Sequence, residues 1–266
     1  MIPKMNAEEI REYWDRQAQT HGVSHAASWT DRPAMEMEIR EIANRIVDGD
    51  RILDIGCANG WSTVQYVVEK KVQIRGLDIS VEMINEGKRR LAAWTGQPLR
   101  GRIEFAVGNI LDLTEEEGSW DKVVVVRVVI NLGAREQQAK GLREAARVVR
   151  PGGLLLLSEA TLQGWRHLNA FRAEWGLDEI PMPAFNNYLD EETVVRELSS
   201  VCDLVEISNF ASTYFVGTRV IKPLLARATG APIDVSSPDC EWNRFFSGLP
   251  SCGDYGTQKL FVFRKR

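Results

Sequence analysis

The sequence predicts an α/β protein with a doubly wound, mostly parallel sheet of seven strands. From Arg51 onwards, short apolar segments alternate with amphipathic ones, which is the pattern of strand–helix–strand units in a parallel sheet. Two of the segments, Lys122–Val126 and Leu154–Leu157, are apolar almost without interruption, as expected of strands covered by helices on both faces. A chain of 266 residues is long enough for one such domain with additional segments.

The first part of the chain, residues 1–50, predicts a helical lid made of two amphipathic helices. Their apolar faces contain Ile10, Tyr13, Trp14 and Ala18 in the first helix and Met35, Ile39, Ile42 and Ile46 in the second. The run of small residues between them, from His21 to Asp31, predicts a loop.

Residues 51–160 predict the core of the domain. Five strands are expected near Arg51–Ile55, Val72–Leu77, Ile103–Val107, Lys122–Val126 and Leu154–Leu157. Helices are predicted from Gly60 and after a cap at Ser80, and another ends before Pro151–Gly153.

Residues 161–266 predict the sixth strand at Leu204–Ile207 and the seventh at Lys259–Phe263. Two insertions accompany them, at about 161–187 and 211–252. A connection as long as the second insertion is uncommon inside a domain, and its aromatic residues argue against disorder. We expect both insertions to join the N-terminal lid in covering a ligand site.

Composition and charge narrow the possible functions. The net charge of −4 and the absence of a basic stripe argue against nucleic acid as the substrate. The chain begins with polar residues and has no apolar run long enough to span a bilayer, which predicts a cytoplasmic protein without a membrane partner. The four cysteines form no CxxC pair and none lies near a histidine at ligand spacing, so neither a metal site nor a disulfide framework is expected.

The turn after the first strand, Asp54–Gly60, predicts a ligand site at the carboxyl edge of the sheet. Gly56 and Gly60 permit a tight turn and a close approach of a ligand to the backbone, with Cys57 and Ala58 between them. The following helix offers free N–H groups to a carboxylate. We interpret Cys57 as a small packing residue rather than a nucleophile.

Two further strand ends supply the groups that a nucleoside needs. Asp78 closes the second strand, where a carboxylate can accept both hydroxyls of a ribose. Asn109 follows the third strand, and its amide either pairs with an adenine ring or forms a local turn. Ile79 and Ile110 are placed to sandwich the base. A NAD-type site is disfavoured because the turn lacks the Gly-x-Gly-x-x-Gly spacing.

These segments resemble the class I S-adenosylmethionine-dependent methyltransferase family. Asp54–Gly60 is similar to the family's acidic-x-Gly-x-Gly-x-Gly segment, with Ala58 where a second glycine is usual. Gly76–Ser80 resembles the ribose segment, and Gly108–Ile110 the adenine segment, in which Asp is commoner than Asn. Ala58 fits this pattern without strain if its φ is negative.

The entry to the fifth strand, Arg147–Gly153, is also similar to the family's, and the resemblance covers Arg51–Glu159. It implies the Rossmann-like methyltransferase fold, S-adenosyl-L-methionine as cofactor and S-adenosyl-L-homocysteine as product. Residues 51–160 would then be the cofactor-binding core.

Three ionisable residues are candidates for the catalytic end of the site. Arg127 ends the fourth strand, where it contacts the cofactor carboxylate or an acidic substrate, or else forms a structural ion pair. Glu159 ends the fifth strand and is either an acceptor of the substrate proton or the partner of Arg127. His25, in the lid loop, is a candidate general base, although a lone histidine is more often structural.

The flanking segments predict a substrate pocket lined by Trp29, His167, Tyr188 and Tyr214, although each aromatic residue alone is more often a packing residue of the cap. Asn186 and Asn187 could bind a polyol or could form a turn. We therefore predict methyl transfer to a small molecule, at oxygen, with a natural product or a sugar-like molecule as acceptor. Carbon or nitrogen acceptors, a silent cofactor-binding partner subunit, and transfer of another group from an adenosylated sulfonium stay open as alternatives.

Overall fold

A seven-stranded sheet forms the centre of the molecule, which the computed structural model describes over residues 6–230 and 237–266. The strands are β1 (Arg51–Ile55), β2 (Gln73–Asp78), β3 (Arg102–Val107), β4 (Trp120–Val126), β5 (Val149–Ala160), β6 (Cys202–Ser208) and β7 (Gln258–Lys265). They lie in the order β3-β2-β1-β4-β5-β7-β6. Neighbours among β1–β5 pair in parallel, and β7 is antiparallel to both β5 and β6. The predicted fold is confirmed.

Helices cover both faces of this sheet. They are α1 (Ala7–His21), α2 (Arg32–Ala43), α3 (Trp61–Glu69), α4 (Val81–Ala92), α5 (Arg135–Arg147), α6 (Leu162–Glu174), α7 (Glu191–Leu198), α8 (Ser212–Val216), α9 (Lys222–Thr229) and α10 (Glu241–Ser247). A π-helical turn, Gly217–Ile221, joins α8 to α9. Within the described ranges, no helix combines the length and the apolar character that crossing a membrane requires.

The core consists of two apolar layers because alternate residues of each strand point to opposite faces. Leu53 and Val125 belong to the layer beneath α5 and α7. Ile52 and Val124 belong to the other layer, with residues of α2 and α3. The central strands therefore bury both faces, which explains their continuously apolar sequences.

Several predicted boundaries agree with the structure. β1 spans the predicted residues, and Ser80 caps α4 as predicted by accepting a hydrogen bond from Met83 N. Asp190 caps α7 in the same way by accepting from Thr193 N. β5 begins at Val149, five residues before the predicted start, because Trp120 of β4 already pairs with Val149.

The predicted lid and the predicted insertions differ in whether they line the ligand cavity. α1 lines the ligand cavity, whereas α2 packs on the sheet through Ile39 and Ile42. The described residues of the 211–252 insertion pack beside α2 and line none of the cavity, so the expectation that this segment covers the site is wrong for them. Residues 1–5 of the predicted lid and residues 231–236 of this insertion lie outside the described part of the chain.

Candidate active site

A cavity of about 910 Å³ opens at the carboxyl edge of the sheet. The ends of β1, β2 and β4 form one wall, and α1 together with the loop at 183–188 forms the other. Small-molecule sites have volumes of about 300–1,000 Å³. This cavity is therefore large enough for a nucleoside-type cofactor with an acceptor molecule beside it.

Almost all the predicted cofactor residues line this cavity: Asp54, Gly56, Cys57, Ala58, Asp78, Ile79, Asn109, Ile110 and Arg127. The exception is Gly60, which caps α3 with φ +71°. A Cβ atom at Gly60 would lie 2.4 Å from the ring of Phe105, so glycine is needed there by the turn and by its packing. The prediction that Gly60 contacts the ligand is corrected accordingly.

The turn after β1 contains several left-handed backbone conformations, and the one at Ala58 was not predicted. Gly56 has φ +76°, and a Cβ atom there would lie 2.1 Å from Val128 Cγ2. Ala58 has φ +47°, so the condition under which alanine would be unstrained is not met. The Ala58 side chain packs beside Trp14 and Met83, and this contact with α1 and α4 offsets part of the strain.

Two buried carboxylates stand at the ends of β1 and β2. Asp54 accepts a hydrogen bond of 2.6 Å from Thr63 Oγ1, and Asp78 accepts hydrogen bonds of 2.9 Å from Ala58 N and from Ser80 N. Burial raises the pKa of each to about 6, against the opposing effect of these hydrogen bonds. A ligand that is cationic or donates hydrogen bonds would relieve this cost, and S-adenosylmethionine does both.

Asn109 is a turn former that also lines the cavity. Its Oδ1 accepts a hydrogen bond of 2.9 Å from Leu111 N, which orients the amide at the end of β3. Ile79 lines the cavity with it, and Ile110 beside them is 4% exposed. The positions fit an adenine ring, so the two roles considered for Asn109 do not exclude each other.

Cys57 is a packing residue, as interpreted from the sequence. It is 6% exposed and belongs to a cluster with Ile84 and Phe105. Burial raises the pKa of its thiol, which disfavours the nucleophilic thiolate.

Arg127 forms the structural ion pair that was one of its predicted alternatives, but with a different partner. Its guanidinium binds Glu38 of α2 and lies over the Trp29 ring, 4.7 Å from the centroid. Glu38 is 1% exposed and also accepts hydrogen bonds from Ser158 Oγ and Gln258 Nε2. The positive charge of Arg127 at the cavity wall is therefore already balanced, although its backbone has a strained φ of +54°.

Glu159 supports the cavity wall from behind and does not line it. The side chain is fully buried, and its oxygens accept hydrogen bonds from Val128 N, Val129 N and Ile130 N, at 2.8, 2.7 and 3.4 Å. Burial raises the pKa of Glu159 to about 8. Its predicted roles as proton acceptor and as the partner of Arg127 are corrected, because its oxygens hold a backbone turn.

The candidate histidines do not line the cavity. His25 lies next to it, with Nδ1 3.1 Å from Trp29 O and its ring against Trp61. His167 is half exposed on the surface, with Nδ1 3.0 Å from Asp254 Oδ2. The structure thus gives no support to His25 as general base, and the prediction that His167 binds substrate is corrected.

Of the aromatic residues that were predicted to bind substrate, two line the cavity and one does not. Trp29 and Tyr188 line the cavity, and their binding of substrate stays a prediction. Tyr214 is fully buried away from it and donates a hydrogen bond of 2.6 Å to Asp31 Oδ1, so the substrate role predicted for Tyr214 is corrected.

Asn59 is a functional-site residue that the sequence analysis did not identify. Its fully buried Nδ2 donates to Gly22 O at 2.8 Å and to Ser24 O at 2.7 Å, tying the lid loop to the turn after β1. Arg90 adds hydrogen bonds to Asn59 O and Val23 O. An asparagine inside a glycine turn was the available signal, since a polar amide there needs partners.

The aromatic contact across the acceptor end of the cavity was also missed. Tyr13 of α1 lies 4.9 Å from Phe185 between ring centroids, and Trp14 contacts the same ring edge-on. Burial raises the pKa of Tyr13. These residues are far apart in the chain, so only the helical spacing of the α1 aromatics pointed towards such a surface.

Comparison with known proteins identifies the domain that carries the cofactor end of the cavity. Residues 52–153 match the model of a methyltransferase domain. The O-methyltransferase rstn1 of Aspergillus nomiae is 30% identical over 53% of this chain and 64% of its own. The 27-O-demethylrifamycin SV methyltransferase of Amycolatopsis mediterranei is 30% identical over 56% of this chain and 50% of its own. The chain thus spans less than two thirds of the length of either relative.

A solved structure extends the likeness of the fold over the whole chain. Magnesium protoporphyrin IX methyltransferase from Synechocystis, solved with bound S-adenosylhomocysteine, superposes with a TM-score of 0.58 and 13% identity, covering 98% of this chain and 96% of its own. Residues 52–153 therefore form a methyltransferase domain that is similar to those of the class I S-adenosylmethionine-dependent methyltransferase family. S-adenosylmethionine is the cofactor of this family, and the resemblance inferred from Asp54–Gly60, Gly76–Ser80 and Gly108–Ile110 is confirmed.

Proposed function

We propose that this methyltransferase transfers the methyl group of S-adenosylmethionine to an oxygen atom of a small molecule. The observation that carries the proposal is one continuous cavity with two different ends. Asp78 and Asn109 stand at the cofactor end, and Tyr13, Trp29 and Phe185 stand at the acceptor end. The similarity to two proteins named for O-methyl chemistry supports oxygen as the acceptor atom.

The residues at the cofactor end suit the groups of S-adenosylmethionine. Ala58 N and Ser80 N each use one acceptor position of the Asp78 carboxylate, which leaves others for ribose hydroxyls. Ile79 and Ile110 would flank the base. The cofactor supplies an electrophilic methyl group on a positively charged sulfur, and the ionised carboxylate of Asp54 favours a cation nearby.

At the acceptor end, the chain aligns the substrate and excludes water. Trp29 lies over Arg127, and α1 closes the cavity from the side opposite the sheet. No histidine is among the described residues that line the cavity. We therefore assign the contribution of this end to orientation and desolvation, which favour an in-line displacement, rather than to a strong general base.

Titration calorimetry of the purified protein with S-adenosylmethionine, S-adenosylhomocysteine and NAD tests the first half of the proposal. We expect saturable binding of the two sulfur nucleosides and none of NAD, because the carboxylate and glycine spacing suits the former. Binding of NAD alone would overturn the proposal.

The second half is tested by offering hydroxylated compounds to the protein with methyl-labelled cofactor. We expect product of increased mass, with the label on oxygen, together with S-adenosylhomocysteine. Label on carbon or nitrogen would leave the methyltransferase in place and contradict the acceptor atom. Tight cofactor binding without transfer to any class of acceptor would instead favour a partner subunit.

A further inference from the structure

Two buried side-chain oxygens at the acceptor end have no hydrogen-bond partner among the described residues. They are Asn131 Oδ1 and Asn186 Oδ1, and both residues line the cavity. Asn131 is 8% exposed. A buried acceptor without a partner is costly, and protein interiors rarely leave one. These two oxygens therefore call for a donor supplied by a ligand.

The orientation of the Asn131 amide is fixed by its other end. Its Nδ2 donates a hydrogen bond of 2.6 Å to Arg127 O, and a carbonyl oxygen can only accept. The Oδ1 atom of Asn131 is therefore the atom without a hydrogen-bond partner. For Asn186, a side-chain hydrogen bond with Tyr188 opposes the rise in the Tyr188 pKa that burial causes.

The two asparagines lie on one wall because their backbone segments are joined. Asn187 N donates to Ile130 O at 2.7 Å, next to each asparagine in the chain. Gln138 Nε2 bridges Val129 O and Asn187 O at 3.1 and 2.7 Å. Glu159 holds the turn from behind. The pair of acceptors is thus preorganised before any ligand arrives.

The charges around this wall favour a neutral ligand. Among the described lining residues, the charged side chains are Asp54 and Asp78, which belong to the cofactor end, and Arg127, which is balanced by Glu38. An anionic ligand would meet two acceptor oxygens and no free cation, and a cationic ligand would find no free carboxylate at this end. Either charge would lose its hydration without replacement.

We propose that the acceptor substrate is a neutral molecule with several hydroxyl groups, two of which donate hydrogen bonds to Asn131 Oδ1 and Asn186 Oδ1. Its less polar surface lies against Tyr13 and Phe185. This inference rests on the proposed function, which it deepens by naming the class of substrate and the residues that select it.

The test measures fragment binding to the protein saturated with S-adenosylhomocysteine, by ligand-observed NMR. The probes are neutral diols and triols (methyl pyranosides, cyclic polyols and catechols), each beside its carboxylated and its aminated counterpart. We expect the neutral probes to bind at least about tenfold more tightly than the charged ones, because only they satisfy both oxygens at no charge penalty.

Asn186→Leu should weaken binding of the neutral probes about tenfold and leave the Kd of S-adenosylhomocysteine within about twofold. Asn209→Leu is the matched control, since Asn209 Oδ1 is also buried without a partner but lies outside the cavity. Asn186→Ser, which keeps an acceptor, should restore part of the affinity.

Three results would overturn the inference: charged probes that bind as well as neutral ones, neutral probes that do not bind, or an Asn186→Leu protein that binds them unchanged. Failure of S-adenosylhomocysteine itself to bind would instead refute the proposed function, so the two failures are distinguishable.

Discussion

The two ends of the cavity are built in different ways. The cofactor end consists of groups at the ends of consecutive parallel strands, such as Asp54, Asp78 and Asn109. The acceptor end is assembled from α1, the turn at 129–131 and the loop at 183–188, which are distant in the chain. The cofactor end is therefore set by the parallel sheet itself, whereas the acceptor end depends on contacts between segments that are distant in the chain.

The largest effect is expected from removing the carboxylate of the cofactor end. Asp78→Ala should weaken S-adenosylmethionine binding by at least about a hundredfold, since two charge-assisted hydrogen bonds of about 1.5–3 kcal/mol each would be lost. Calorimetric titration measures the change. The affinity for neutral diols should fall far less, which would show that the two ends of the cavity bind their ligands independently.

Asp78→Asn is the control for structural damage, because it keeps the shape and one oxygen for Ala58 N or Ser80 N. Circular dichroism checks that both variants are folded. Unchanged cofactor affinity in a folded Asp78→Ala protein would contradict the assignment of Asp78 as the residue that binds the ribose hydroxyls.

A second prediction concerns the effect of pH on the binding of the cofactor. Asp54 and Asp78 have pKa values of about 6, raised by burial from the ordinary 3.8. Binding of the cationic cofactor favours their ionised forms, so its affinity should fall as the pH is lowered from 7.5 to 5, by up to about tenfold per unit for each carboxylate. Calorimetry across this range measures the slope.

The ligand-free protein should respond in the opposite direction. A carboxyl whose pKa is raised by folding binds more protons in the folded state, so its contribution to stability is largest below pH 4 and is lost as the pH rises through 6. The gain in thermal midpoint on adding cofactor should therefore shrink between pH 7.5 and 5. A gain that stays constant would contradict the raised pKa values.

The smallest effect is expected at Ala58, where the cofactor turn meets the lid. Ala58→Gly should relieve the φ of +47° and stabilise the fold by at most about 1 kcal/mol, less the packing lost beside Trp14 and Met83. Urea unfolding measures the difference. Destabilisation by more than 1 kcal/mol would show that the methyl contact with α1 matters more than the strain, and that the two ends are less independent than described.

Nearly all the residues predicted for the cofactor end line the cavity, since each strand end is a local signal in the sequence. An apolar run followed by Asp54, Asp78 or Asn109 reports both the element and the edge of the sheet where it ends. The sign of φ at Ala58 was beyond such reasoning, because it follows from how the turn packs between α1 and α4 rather than from the alanine itself.

The acceptor end was recovered only in part. Trp29 and Tyr188 line the cavity, but His167 and Tyr214 do not, because the choice among polar and aromatic residues depends on long-range contacts. Glu159 shows the difficulty: its position at the end of β5 was correct, yet its side chain turns to three backbone N–H groups instead of the ligand. The two open amide oxygens become visible only once all their neighbours are known.

The link made by Asn59 has a mechanical consequence. Its two hydrogen bonds to Gly22 O and Ser24 O connect the loop after α1 to the turn that would touch the cofactor. Lifting α1 away while the turn stays in place breaks both bonds, at a net cost of about 0.5–1.5 kcal/mol each. The loop after α1 and the turn after β1 therefore move as one unit for as long as both bonds hold.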